Sequence, residues 1–217
     1  MLSKLFQIYK LSFGTLALTC ILECISWRKV KELNSNTYGK ENYKKALYLN
    51  LKNKLIISPP IYFVATMFFS KPNGLGNEIL QVLGILIIQS IGYFSVHKWM
   101  HNPQIYWIHE FHHRFSRIVT PVVANAVSYN EYIYAYICPI FIGVAGISPS
   151  QRAANVSIAI ISIGNLLIHF ENVEELSIRY VPDYFVSTFL HLEHHRKHNR
   201  NFAAPIINVD KFFYNSF

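Results

Sequence analysis

Residues 79–101 read ILQVLGILIIQSIGYFSVHKWMH, and this stretch decides the fold. Residues 79–96 carry no charge and are mostly apolar, and a helix needs roughly 17–25 such residues to cross the hydrocarbon core of a membrane. The run ends in His97 and His101, which are four residues apart and therefore share one face of a helix. The stretch predicts a transmembrane helix that carries two histidines at its end.

Other apolar stretches extend this prediction to a helical bundle. They lie at 11–27, 55–69, 132–147 and 153–170. The turn-forming sequence SKPNGLGN connects 55–69 to 79–96, and SPSQR connects the last two stretches. We therefore expect an all-α integral membrane protein with about four transmembrane helices in two hairpins. The histidines are expected to form a helical cap on the cytoplasmic side.

The first two stretches are less regular than the others. Glu23 lies in 11–27 and is costly at the middle of a bilayer, so we expect this anchor to place it near an interface. The stretch 55–69 is short, and Pro59 and Pro60 are expected to bend it. Residues 1–78 thus form a membrane anchor, a basic connector (28–54) and the first half of a hairpin, and residues 79–217 form the histidine-rich region.

The composition excludes an ordinary soluble domain, because 52% of the residues are hydrophobic and only 15% are charged, against roughly 25% charged in soluble domains. Four of the 20 Lys and Arg residues lie in the two turns or at the N-terminal tip: Lys4, Lys10, Lys71 and Arg152. The other 16 lie on the opposite side of the predicted membrane. Cytoplasmic segments carry the positive excess, so the histidines should face the cytoplasm. This bias explains the net charge of +8 without a nucleic-acid partner. The expected location is the endoplasmic reticulum in a eukaryote and the inner membrane in a bacterium.

Nine of the ten histidines fall into a recognisable order. A first motif, HxxxH, occupies 97–101; a second, HxxHH, occupies 109–113; a lone histidine follows at 169; and a third motif, HxxHH, occupies 191–195. Residues three and four apart lie on one helix face, so each motif is expected to point two or three of its imidazoles in one direction. Packed imidazoles must stay neutral, and neutral imidazole is a metal ligand. Their number exceeds the coordination shell of one ion and predicts two metal ions.

A rival reading comes from the same residues. His109, Glu110 and His113 also form HExxH, the pattern of zinc proteases, in which Glu110 would be the general base. A membrane-embedded zinc metalloprotease is therefore the alternative function. It would leave the first and third motifs without a role.

The order of the motifs resembles the fatty acid hydroxylase/sterol desaturase superfamily of membrane oxygenases. YFSVHKWMHNPQIYWIHEFHHRFSRIVTP (93–121) resembles that family's linked first two histidine boxes, and HLEHHRKHNRNFAAPIINVDKFF (191–213) resembles its third box and closing segment. The resemblance covers roughly 79–217.

The resemblance implies a diiron site and an O₂-dependent enzyme that hydroxylates or desaturates a sterol or fatty-acyl lipid, with electrons from a reductase or cytochrome b5-type partner. Zinc can replace iron in overexpressed protein. The iron ligands carried over by this resemblance are His97, His101, His109, His112, His113, His169, His191, His194 and His195. The nearby carboxylates that could orient them are Glu110, Glu131, Glu171 and Glu193.

The chain departs from the family pattern at two places. Ser128-Tyr129-Asn130 stands where members commonly have a His-Pro segment, and His198 has no counterpart in the pattern. His198 and Asn165 are therefore additional candidate ligands. A divergent, inactive member of the family is a further alternative.

Overall fold

Three helices in the computed structural model, which describes residues 2–213, are long and apolar enough to cross a membrane. They cover Leu75–Met100, Tyr129–Ile147 and Gln151–Ile168. A fourth candidate is the segment Tyr9–Ile25 together with Trp27–Leu33, although the two parts meet at an angle of 82°. The described residues contain no β-strand. The predicted all-α membrane fold with about four spans is confirmed.

The helices follow one another with short connections. Within the described residues they are α1 (Leu2–Ile25), α2 (Trp27–Leu33), α3 (Thr37–Lys52), α4 (Ser58–Ala65), α5 (Leu75–Met100), α6 (Glu110–His113), α7 (Pro121–Ala124), α8 (Tyr129–Glu131), α9 (Cys138–Ile147), α10 (Gln151–Ile168), α11 (Glu174–Tyr180), α12 (Thr188–Lys197) and α13 (Asp210–Phe213). Two π-helical segments, Asn53–Ile57 and Tyr132–Ile137, connect α3 to α4 and α8 to α9.

The stretch 55–69 is not one of the three long spans. The basic connector forms α2 and α3, and α3 continues through the π-helical segment Asn53–Ile57 directly into α4. Pro59 and Pro60 lack the amide hydrogens that would bond to the preceding turn. The Ser58 hydroxyl instead donates a 2.9 Å hydrogen bond to the carbonyl of Asn53. The predicted irregularity therefore takes the form of a widened turn immediately before the two prolines.

Both predicted turns lie at the same end of the bundle. The amide of Ser70 donates to the carbonyl of Pro149 at 2.9 Å, and the hydroxyl of Ser150 donates to buried Glu78 at 2.8 Å. Arg152 also pairs with Glu78, so this carboxylate is not left uncompensated. Because α5 and α10 both start at these turns, their last residues bring histidines together at the opposite end.

Glu23 ties the first helix to the histidine end of the bundle. Its buried carboxylate accepts hydrogen bonds from the hydroxyls of Tyr43 (2.9 Å) and Thr120 (2.8 Å) and from the amide of Val122 (2.8 Å). Buried charges are tolerated where they are hydrogen-bonded. The acidic residue in the first apolar stretch thus fixes α1 against α3 and the segment that starts α7.

Helices α5 and α9 pack closely at Gly92. A Cβ atom at this position would lie 2.8 Å from Cβ and 3.1 Å from Cγ of Pro139. Helices in membranes commonly use small residues to approach this closely. Gly76, on the same helix, has no atom within 4 Å of the position of a Cβ.

We predict that Gly92→Ala lowers the melting temperature of the purified protein in detergent. Alanine stabilises a helix by about 1 kcal/mol relative to glycine. Overpacking against the rigid Pro139 ring, however, costs about 1–3 kcal/mol. The matched change Gly76→Ala should not lower the melting temperature. A Gly92→Ala protein that melts at or above the wild-type temperature would contradict this packing.

Candidate metal centre

Nine histidine side chains converge in two neighbouring groups at the end of the bundle opposite the turns. One nitrogen of each ring lies within 4.8 Å of the others in its group. The first group is His97, His101, His109, His113 and His194, and the second group is His112, His169, His191 and His195. All are buried except His101, which is half-buried. These are the nine residues that the sequence singled out.

Each HxxHH motif divides between the two groups. His109 and His113 belong to the first group, and His112 between them belongs to the second. In the third motif His194 belongs to the first group, whereas His191 and His195 belong to the second. Two imidazoles of each motif share a group, as the spacing predicts, and the third imidazole of each HxxHH motif joins the neighbouring group. An i, i+4 pair shares a helix face, and the residue between the pair points elsewhere.

Main-chain carbonyls fix the orientation of three rings. Three Nδ1 atoms lie 2.7 Å from a carbonyl oxygen: His97 from Phe202, His169 from Asn165 and His194 from Arg200. A carbonyl can only accept a hydrogen bond, so each Nδ1 carries the hydrogen of the neutral ring. Each Nε2 therefore presents a lone pair to the centre of its group. No residue-type pattern indicates a carbonyl partner, so sequence reasoning did not find these contacts.

A carboxylate orients a fourth ring. Nδ1 of His109 lies 2.8 Å from Oε1 of Glu131, and both side chains are fully buried. Ser128 caps the helix that carries Glu131: its hydroxyl accepts from the amide of Glu131 at 3.1 Å and donates to the carbonyl of Ile108 at 2.7 Å. The segment that departs from the family pattern thus positions the carboxylate.

The shortest contacts between rings fit a shared ion. Nε2 of His109 lies 2.9 Å from Nε2 of His97 and 2.8 Å from Nε2 of His113. Nε2 of His97 presents a lone pair to this contact, because its Nδ1 carries the hydrogen. Two nitrogens bound at about 2.0–2.1 Å to one ion and at right angles would be about 2.9 Å apart. A metal ion held by this group would accept the lone pairs of these Nε2 atoms.

The second group has the electrostatics of a metal site. Both ring nitrogens of His112 and of His195 are buried without a hydrogen-bond partner in the described structure, and such an atom costs about 1–3 kcal/mol. Burial holds the pKa of both imidazoles well below the usual range. In the first group, burial and neighbouring His198 lower the pKa of His101 to about 4. The rings are neutral, which is the state that binds metal.

Of the two additional candidate ligands, His198 lies outside both histidine groups. His198 ends α12 in the left-handed conformation (φ 61°), and its Nε2 donates to the carbonyl of His195 at 2.8 Å. Its ring centroid is still only 4.3 Å from that of His113. The side chain of Asn165 lines a cavity inside the bundle, and its Nδ2 donates a hydrogen bond to Oδ1 of Asn125 at 3.3 Å.

Among the four candidate carboxylates, the described structure places only Glu131 against a histidine. Glu110 is exposed and pairs with Arg114 at 2.9 Å. The other two also form ion pairs: Glu171 with Lys29, and Glu193 with Lys197. The zinc-protease reading needs Glu110 beside the ion held by His109 and His113. The geometry disfavours that reading.

Two comparisons with known proteins indicate the same family. A model of the fatty acid hydroxylase family matches residues 82–215. A curated fatty acid hydroxylase, ahd1 of Mycosarcoma maydis, is 31% identical over 115 residues, which is 46% of this chain and 29% of that protein. The match thus spans less than a third of the relative's length. No solved structure matches the chain.

We predict that His112→Ala removes about one metal ion per chain and that Glu110→Gln removes none. His112 is buried in the second group, whereas Glu110 is exposed on the other side of the same turn. The measurement is elemental analysis of both variants after purification from iron-supplemented cells. Retained metal in His112→Ala, together with metal loss in Glu110→Gln, would reverse the assignment.

Proposed function

The chain belongs to the fatty acid hydroxylase family, and from that premise we propose that it is a membrane-bound diiron oxygenase. It hydroxylates or desaturates a lipid of fatty-acyl or sterol type with O₂. The observation that carries the proposal is the pair of adjacent, buried all-imidazole groups at one end of a membrane-helix bundle.

The nine histidines would hold two iron ions, one in each group. Imidazole suits iron and also zinc, so zinc can occupy the same rings in overexpressed protein. Bound iron supplies the activation of O₂ that amino-acid side chains cannot provide. For hydroxylation the balance is R–H + O₂ + 2 electrons + 2 H⁺ → R–OH + H₂O. Glu131 and the three carbonyls keep the rings oriented, and the buried setting excludes water.

A largely apolar cavity between the helices supports a lipid substrate. Its walls include Ile61 of α4, Phe141 of α9 and Ile161 of α10. The side chain of Asn165 lines the same cavity, and the main-chain carbonyl of Asn165 is the hydrogen-bond partner of His169. The cavity therefore reaches a residue that directly contacts the second histidine group. A lipid that enters between the helices would approach the ions from this side.

A second, open cleft supports delivery of electrons from another protein. It borders His101 and His198, and its charged lining residues are three basic and three acidic: Lys98, Arg200, Lys211, Asp183, Glu193 and Asp210. Arg114, Arg117, Arg196 and Lys197 add further basic residues near the histidine motifs. An electron carrier, such as a cytochrome b5-type protein or a reductase, would dock at this opening beside the first histidine group. The proposal includes no nucleic-acid partner.

The departure at 128–130 does not remove a ring from either group. Ser128 acts as a helix cap, and the nine histidines assemble without a histidine at that position. This supports an active enzyme over a divergent, inactive one.

We predict that the histidine end faces the cytoplasm, in the endoplasmic reticulum of a eukaryote or the inner membrane of a bacterium. The basic residues cluster at this end, and positive charge is retained on the cytoplasmic side. An accessibility tag inserted in 71–77 should report the opposite side from one in 37–52. If a tag in 37–52 or at the C-terminus is translocated, the orientation is wrong.

We predict that a host expressing this chain accumulates an oxidised lipid and that His169→Ala abolishes it. In isotopically labelled O₂ a hydroxylated product should contain one labelled oxygen, whereas a desaturated product should contain a new double bond and no label. Lipid mass spectrometry distinguishes the two. Exposed Arg179→Gln is the control and should retain the product. Unchanged lipids in a host with ample iron and a compatible reductase, or full product from His169→Ala, would contradict the proposal.

A further inference from the structure

Lys54 belongs to the π-helical segment that leads into α4, and it lines the apolar cavity. The described residues offer its ammonium group no ion-pair or hydrogen-bond partner, and no lining residue of the cavity is acidic. The other lining residues are apolar or neutral polar. Lys54 is therefore a partly exposed cation at a cavity whose lining carries no counter-charge.

Moving an ammonium group from water into a largely apolar cavity is costly unless an opposite charge accompanies it. In a binding cavity the missing charge can come from the ligand. The cavity has a volume of about 120 Å³, whereas one water needs roughly 10–15 Å³ by the same measure. It thus has room for part of a chain molecule beside Lys54.

The cavity is polar at one end and apolar at the other. Near the histidines lie Asn165, whose carbonyl contacts His169, and Tyr132, which follows Glu131 and hydrogen-bonds Ser58. Towards the turns the walls are Ala65 and Val144. Lys54 precedes Ser58 by one helical turn, on the histidine side, because α4 runs towards the turns.

We infer that Lys54 binds the anionic head group of a lipid whose acyl chain extends along the cavity towards the turns. The inference rests on the proposed function for the claim that this lipid is the substrate. It places the head group, a carboxylate or a phosphate, at the histidine end. Lys54 is then a specificity-determining residue that separates anionic lipids from neutral esters and alcohols of the same length.

The test measures equilibrium binding of labelled palmitate, hexadecyl phosphate and methyl palmitate to the full chain in phosphatidylcholine nanodiscs. Wild-type protein should bind at least one anion about tenfold or more tightly than methyl palmitate, because a hydrogen bond to a charged group is strong. The anion preferred identifies the head group. Lys54→Met should remove this preference and leave methyl palmitate binding unchanged. Lys54→Arg should retain it.

The matched control is Lys40→Met, which removes the same charge from an exposed position on α3. It should bind all three probes as the wild type does. The inference is overturned if wild-type protein binds methyl palmitate as tightly as both anions, a comparison that needs no variant to fold. It is also overturned if Lys54→Met keeps the preference. Binding needs no turnover, so a protein that shows this preference and oxidises no lipid would refute the proposed function alone.

Discussion

The structure depends on one constraint: buried neutral imidazoles must direct their lone pairs at common points. Polar groups on the side of the rings away from the centre of each group hold them in this orientation. The main-chain carbonyls of Phe202 and Asn165 and the carboxylate of Glu131 each lie against an Nδ1 atom. The two carbonyls can only accept, so they place the hydrogen of His97 and of His169 on Nδ1, and Glu131 holds the orientation of His109. Without them a ring could rotate or change tautomer and present a hydrogen to the site. The remaining helices can be understood as the frame that holds these partners in place.

That frame distributes its polar contacts between the two ends of the bundle. Glu78 holds the two turns together at one end, and Glu23 binds the segment that starts α7 at the other. Between them the helices meet through small residues such as Gly92. Buried carboxylates are costly unless hydrogen-bonded, and both are. Glu78 thus connects α5 and α10, which both lead to histidines, and Glu23 connects α1 with α3 and α7.

The sequence could predict the parts that depend on spacing. The length of 79–96 predicted a span, and the nine histidines that assemble are the eight in the motifs and the lone His169. It could not predict how the second and third motifs divide, because that depends on where α6 and α12 lie relative to α5. Nor could it predict that Ser128 positions Glu131 or that Lys54 lacks a partner, since both follow from tertiary contacts.

The central claim is that the histidines form two unlike ion sites, one with five rings and one with four. The most direct measurement is a Mössbauer spectrum of the iron-loaded protein, combined with the iron content per chain. The account predicts about two iron ions per chain and two signals of equal area, because the two ligand sets differ. A single signal with one iron per chain would contradict it.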